Sequence, residues 1–124
     1  MKLSFLPGVF AVCRLSPDWE IPGWALNQRG FVSITYTHDE LSIVCRDATV
    51  PEDVRAERGW IALQVHGPLD FGLTGILASL TAPLTQEGIP IFAISTYDTD
   101  YLLLKEKDRV AAQRTLEQQG HIFV

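Results

Sequence analysis

The sequence predicts an α+β fold: an antiparallel sheet with helices on one face, built from a βαββαβ succession that occurs twice. Three observations carry this. From Trp60 to Val124 the chain alternates strand-like and helix-like segments, with Gly, Pro or Asp at most joints. The segment Phe31 to Leu41 recurs at Phe92 to Leu102 at a constant offset of 61, with Phe, Thr, Tyr, Asp and Leu in step. Between its Pro/Asp/aromatic loop and its hairpin the first copy is shorter, with 13 positions from Asp18 to Phe31 against 22 from Asp70 to Phe92. Nine residues make about 13 Å of helix. The first copy is therefore expected to lack its first helix or to keep one turn of it, and the halves are expected at 1–58 and 59–124.

Taken in order, Val9 to Leu15 is nearly all apolar and reads as a strand. Ser16 to Gly30 is rich in Pro and Gly and reads as loop. Phe31 to Tyr36 and Leu41 to Arg46 form a hairpin about Thr37-His38-Asp39-Glu40. Val50 to Val54 is expected to be a short helix with Pro51 in its first turn, and Arg55 to Gly59 a polar join. Trp60 to Val65 opens the second copy as a strand, and His66-Gly67-Pro68 turns it.

The next helix carries Leu73, Ile76, Leu77, Leu80 and Leu84 as one apolar stripe, with Gly88 as a left-handed end. Pro83 inside the stripe lacks an N–H, so a kink or an early stop is expected there. Ile89 to Thr96 and Tyr101 to Lys105 are strands with apolar residues on both faces, which requires the second face to be covered by the first copy or by another chain. The last helix starts at Asp108 and stops at Gly120, and His121 to Val124 closes the sheet.

The 47% apolar and 20% charged composition is that of a globular protein. A net charge of -5 leaves too few cations to neutralise phosphates, so no nucleic-acid partner is expected. No stretch is long and apolar enough to span a bilayer, and Pro7-Gly8 interrupts the apolar N-terminal segment, so no membrane partner is expected. Cys13 and Cys45 lack metal or redox spacing and read as free buried thiols in a reducing cytoplasm.

Few residues carry chemistry. Asp98-Thr99-Asp100 sits at a hairpin tip, where Asp serves the turn, and no third ligand lies nearby, so no metal or other cofactor is expected. His38, His66 and His121 are scattered, and Ser95 and Thr96 have no assignable base, so no catalytic residue is expected and the chain is not read as an enzyme. Gly72 and Gly75 permit a tight turn into the helix. The same turn can expose the N–H groups of Phe71 to Gly75 to an anion such as a carboxylate. Trp19 and Trp24 flank the Pro-rich loop, where they cap the shortened copy's core or form a patch for a partner.

The strings Leu69-Asp70-Phe71-Gly72-Leu73-Thr74-Gly75-Ile76-Leu77 and Phe92-Ala93-Ile94-Ser95-Thr96-Tyr97-Asp98-Thr99-Asp100 resemble the ACT domain. More narrowly, they resemble the branch of small bacterial tandem-ACT proteins and the CASTOR arginine sensors. The resemblance covers Trp60 to Val124 well and the first copy weakly, and it implies a ferredoxin-like fold. It implies further a homodimer paired through sheets, with an amino acid or similar small ligand at a domain interface and no cofactor. The ligand's carboxylate is then expected at Asp70, Phe71, Gly72, Leu73 and Gly75, and its amino group at Ile94, Ser95, Thr96 and Asp98 or Asp100. The function expected is that of a cytoplasmic allosteric sensor that regulates a partner enzyme. The alternative is an assembly or partner-docking module with no ligand.

Overall fold

The computed structural model describes residues 1–27, 30–70 and 72–124. Contacts divide the chain into two units, Gly8–Trp60 and Met1–Pro7 with Ile61–Val124. The second differs from the expected 59–124 half by taking in the first seven residues. The reason is a strand that the sequence reading did not separate: β1, Lys2–Phe5, lies antiparallel to the end of β5, Ala56–Val65, with Leu3 opposite Val65 and Phe5 opposite Leu63. On its other side β1 runs parallel to β8, Ile122–Phe123. It thus fills the place between the first and last strands of this unit, whose strand order is β6-β7-β5-β1-β8, where β6 is Ile91–Ser95 and β7 is Asp100–Lys105.

Helices α2, Ile76–Gln86, and α3, Arg109–Gln118, cover one face of this unit. Leu80 and Leu84 from α2, with Ala112 and Leu116 from α3, pack on Leu3, Ile61, Leu63, Val65, Leu102 and Leu104 in one buried cluster. Ala62 and Leu103 alternate with those strand residues and are just as buried. Helix α2 runs through Pro83 to Gln86 rather than stopping early. Gly88, at φ 71, ends it, and Ile89 donates its N–H back to Leu84 at 3.0 Å. Helix α2 begins only at Ile76, so Leu73 falls outside it and is exposed. Asp108 precedes α3 but makes no side-chain capping bond.

In the unit Gly8–Trp60, β2, Phe10–Leu15, pairs antiparallel with β4, Leu41–Arg46, and with the beginning of β5. β3, Ser33–Tyr36, completes the hairpin with β4. The first helix has shrunk to α1, Gly23–Leu26, a single turn. Ala11, Cys13, Leu15, Leu41, Ile43 and Cys45 point to one face and bury Ala25 and Val50, with Ile21 and Trp24 packed against them. Two expectations fail here. Val50–Val54 forms a turn rather than a helix, after a 3-10 turn at Asp47–Thr49, and Arg55–Gly59 is not a join but lies almost wholly in β5. Arg58 explains the first: its guanidinium donates to the Asp47 carboxylate at 2.8 Å and to the Val50 and Pro51 carbonyls at 3.2 and 2.9 Å. It holds those carbonyls where a helix would need them for its own ladder.

The internal repeat is real at the hairpin, at a different offset. Tyr36 pairs Leu41 across one four-residue turn, and Ser95 pairs Asp100 across the other. In the first, Thr37 Oγ1 accepts from Glu40 N–H at 3.1 Å; in the second, Thr96 Oγ1 accepts from Thr99 N–H at 3.4 Å. Thr37 therefore corresponds to Thr96, an offset of 59 rather than 61, and the 3-10 turns at Asp47–Thr49 and Glu106–Asp108 keep the same spacing. The offset of 61 aligned side-chain identities; the turn is set by the threonine that closes it.

Candidate functional site

The segment from β5 to α2 and the β6–β7 hairpin are fastened to each other, and a cavity opens between them. Leu69 N–H donates to the Asp98 carbonyl at 2.6 Å. The buried hydroxyl of Thr99 donates to the Val65 carbonyl at 2.6 Å. Gly67 lies so close beneath the hairpin that a Cβ there would stand 2.9 Å from the Asp98 oxygen. These three contacts need a glycine, a free N–H and a short hydroxyl in register, and they set the spacing of the cavity walls.

The cavity is about 300 Å³, at the small end of ligand sites. One wall is the hairpin, with Ser95, Thr96, Tyr97, Asp98, Thr99 and Asp100. The other is the segment before α2 and its first turn, with Leu69, Asp70, Leu73, Gly75, Ile76 and Leu77. Of the residues expected to bind ligand, Asp70, Leu73, Gly75, Ser95, Thr96, Asp98 and Asp100 come together here. Ile94 sits in β6, half-buried, outside the lining, and Phe71 lies outside the described residues.

Gly72 does not meet the expectation of an open amide. Its N–H donates to the Asp70 carboxylate at 2.7 Å, and Leu73 N–H donates to the Asp70 carbonyl at 3.0 Å. The chain's own acid folds the segment on itself. The amides left for an anion are one turn further on. Gly75, left-handed at φ 77, precedes α2 with no side-chain cap, and the first helical bond runs from Ser79 N–H to Gly75 O at 2.9 Å. The N–H groups of Ile76 and Leu77 therefore have no partner among the described residues, and both residues line the cavity.

Charge on the walls is one-sided. Asp70, Asp98 and Asp100 line the cavity, and among the described residues no Lys, Arg or His does. Ser95 donates its hydroxyl to Asp100 Oδ1 at 2.6 Å, which orients that carboxylate. The Asp98 carboxylate has no hydrogen bond or ion pair among the described residues. The three acids do not form a cluster that could share one metal ion among the described residues. Leu69, Leu73, Ile76 and Leu77 give an apolar patch on the same wall as Asp70. The sequence reading missed Leu69, Ile76, Leu77, Tyr97 and Thr99. Ile76 and Leu77 carried a signal, the apolar period of α2, but that period was assigned wholly to the core.

Elsewhere, Cys13 and Cys45 are free and buried on neighbouring strands. The hydrogen bond that Cys13 donates to Cys45, then burial, push the Cys13 thiol well above its ordinary range. No helix among the described residues is long and apolar enough to cross a membrane.

Comparison with known proteins agrees with this arrangement. The ACT domain family profile matches residues 55–118, and a profile described as an N-terminal domain matches residues 8–53. The bovine protein named cytosolic arginine sensor for mTORC1 subunit 1 (Bos taurus) is 33% identical over 73 residues, which take in 55% of this chain and 22% of the sensor. The human protein CASTOR3P (Homo sapiens) is 28% identical over 106 residues, 75% of this chain and 65% of that one. The chain thus spans about a fifth of the arginine sensor's length. A crystal structure of a protein from Agobacterium tumefaciens superposes with a TM-score of 0.92 at 44% identity, covering 99% of this chain and 91% of that one. The regulatory subunit of aspartate kinase from Thermus flavus shares the fold, with a TM-score of 0.65 at 10% identity over 96% of this chain and 97% of that one.

Proposed function

The chain belongs to the ACT domain family, and from that premise we propose that it is a regulatory protein whose cavity beside α2 binds a free amino acid. The single observation that carries this is the meeting of two opposite recognition chemistries in one cavity of about 300 Å³: uncapped helix amides at Ile76 and Leu77, and carboxylates at Asp98 and Asp100 with no ion-pair partner among the described residues. A zwitterion satisfies both ends, its carboxylate on the amides and its ammonium on the acids. A third carboxylate, Asp70, and the absence of any lining cation favour an amino acid with a cationic side chain over an acidic one. The name of the bovine relative, an arginine sensor, supports the same class.

The output would be a change in how this chain meets a copy of itself or a partner enzyme, because a ligand shifts only those states that it binds unequally. Among the described residues β6 pairs on one side only, with β7, and its sequence Ile-Phe-Ala-Ile-Ser has no charge to discourage a further strand. A homodimer joined along β6 is the form we propose for the regulated state. The reading assigns the chain no reaction of its own.

A thermal-shift panel of free amino acids tests it. A binder at a hundred times its dissociation constant adds about 2.7 kcal/mol of stability. Arginine or lysine is expected to raise the transition and glutamate to leave it unmoved, while Asp98→Asn and Asp100→Asn each weaken binding roughly tenfold, about 1.4 kcal/mol. No response to any amino acid at millimolar concentration would overturn the reading.

A further inference from the structure

The loop after β2 holds two indoles that the structure treats oppositely. Trp24 packs on the buried cluster of its unit. Trp19 is 53% exposed, with Tyr36 at 51% and Leu26 at 54%. An exposed indole on a slack loop means little, but this loop is fastened. Tyr36 Oη donates to the Trp19 carbonyl at 2.8 Å, which ties the loop to the end of β3. Trp19 N–H donates to the Ser16 carbonyl at 3.1 Å, and Asp18 N–H donates to Ser16 Oγ at 3.2 Å. Trp19 is therefore held out in water by bonds that cost nothing further on binding, which is the character of an interface anchor.

The charges beside it select a partner. Asp18 and Glu20 flank Trp19, both exposed, and neither carboxylate has an ion-pair partner among the described residues. A bare π face between two unpaired acids attracts guanidinium or ammonium groups, Arg more than Lys. We infer that the Trp19–Tyr36 surface is a docking site for an arginine-bearing segment of a partner protein. It is separate from the amino-acid cavity: every residue that forms it belongs to the unit Gly8–Trp60, and every residue lining the cavity to the other.

The test is a titration of the ¹⁵N-labelled full chain with an end-capped octapeptide alternating arginine and glycine. The three tryptophan indoles give one N–H resonance each. The Trp19 indole is expected to shift saturably, the Trp24 and Trp60 indoles to stay, and the glutamate–glycine octapeptide to move nothing. Followed through the backbone amides of residues 16–20, Trp19→Leu and the pair Asp18→Asn with Glu20→Gln should each weaken the interaction at least threefold. These are exposed positions, so the fold is retained, as circular dichroism can check. An unmoved Trp19 indole at millimolar peptide, or equal affinity in both variants, would overturn the inference in favour of general attraction to an acidic chain. A Trp19 indole that shifts with protein concentration and no peptide would overturn it in favour of a second copy. None of these outcomes bears on amino-acid binding, which is read by the thermal-shift panel.

Discussion

Replacing Gly67 by alanine should loosen both the fold and the cavity, because one methyl group would enter the space where the two walls are fastened. The added Cβ would lie 2.9 Å from the Asp98 carbonyl oxygen, 3.0 Å from the Leu69 nitrogen and 3.2 Å from Thr99 Cβ. The first two are backbone atoms and cannot swing aside. Relief comes only if the hairpin withdraws by some tenths of an ångström, and that stretches the 2.6 Å bond from Leu69 N–H to Asp98 O. Overpacking costs about 1–3 kcal/mol, and a weakened hydrogen bond adds a share of its own roughly 1 kcal/mol. A loss of about 2 kcal/mol lowers Tm by roughly 6–10 °C in a chain of this size. Thermal denaturation measures the first effect, and calorimetric titration with whichever amino acid the panel identifies measures the second. Gly72→Ala is the control, since its Cβ would meet only a side-chain oxygen of Asp70, at 3.3 Å. Its cost should stay below about 1 kcal/mol. A Gly67→Ala chain with unchanged Tm and unchanged affinity would refute the claim that this close approach sets the cavity.

Thr99→Val keeps the side-chain shape but removes the hydroxyl that donates to Val65 O at 2.6 Å in a buried setting, so urea denaturation should show a loss of about 1–3 kcal/mol, largely restored in Thr99→Ser. Leu103→Ala should cost about 2–5 kcal/mol, as much as Leu102→Ala, because both are fully buried on opposite faces of β7; a near-neutral result would mean that the second face is not packed. Arg58→Ala breaks the pair with Asp47 and the bonds to two carbonyls, and a loss of about 1–2 kcal/mol is expected by the same assay. Cys13 and Cys45 should resist a thiol reagent in the native chain and react together, two per chain, in urea, since both are buried; the bond between them raises the Cys13 thiol and lowers Cys45 to about 7, so exclusion of the reagent rather than thiolate content sets the native rate. Rapid native labelling would contradict that burial.

What the sequence disclosed and what it hid follow from the range of the forces involved. The hairpin at Thr37–Glu40, the stripe of α2 and the missing helix of the first copy are set by residues within a few positions of one another and were legible; the second hairpin was legible too, but its turn was placed one position late, after Thr96 rather than from it. The place of β1 was not, because four residues, Lys2–Phe5, find partners some sixty and one hundred and twenty positions away, and nothing local to them says so. Asp98 was legible as a turn residue at a tip, but Asp100 opens β7 and Asp70 lies before α2, and the apolar patch was hidden in the period of α2, since only the start of that helix at Ile76 decides that its first turn faces the cavity. Gly72 was misjudged because an aspartate two positions earlier competes for the same N–H as a ligand would.

The two hairpins differ in what meets the same main-chain carbonyl. Asp39 and Asp98 occupy the same place in the same threonine-closed turn. At Asp98 the main-chain carbonyl is taken by Leu69 N–H, a backbone donor, which brings a whole segment of chain alongside the hairpin. At Asp39 the carbonyl is taken instead by the Arg14 guanidinium, at 3.0 Å. A side chain can satisfy that oxygen without bringing a segment of main chain with it, and with α1 reduced to Gly23–Leu26 no eleven-residue helix begins beside it. The guanidinium also places a positive charge against the hairpin where the other copy has none among its lining residues. The two copies thus differ in which donor meets one carbonyl, the Arg14 guanidinium in the first and the Leu69 backbone N–H in the second.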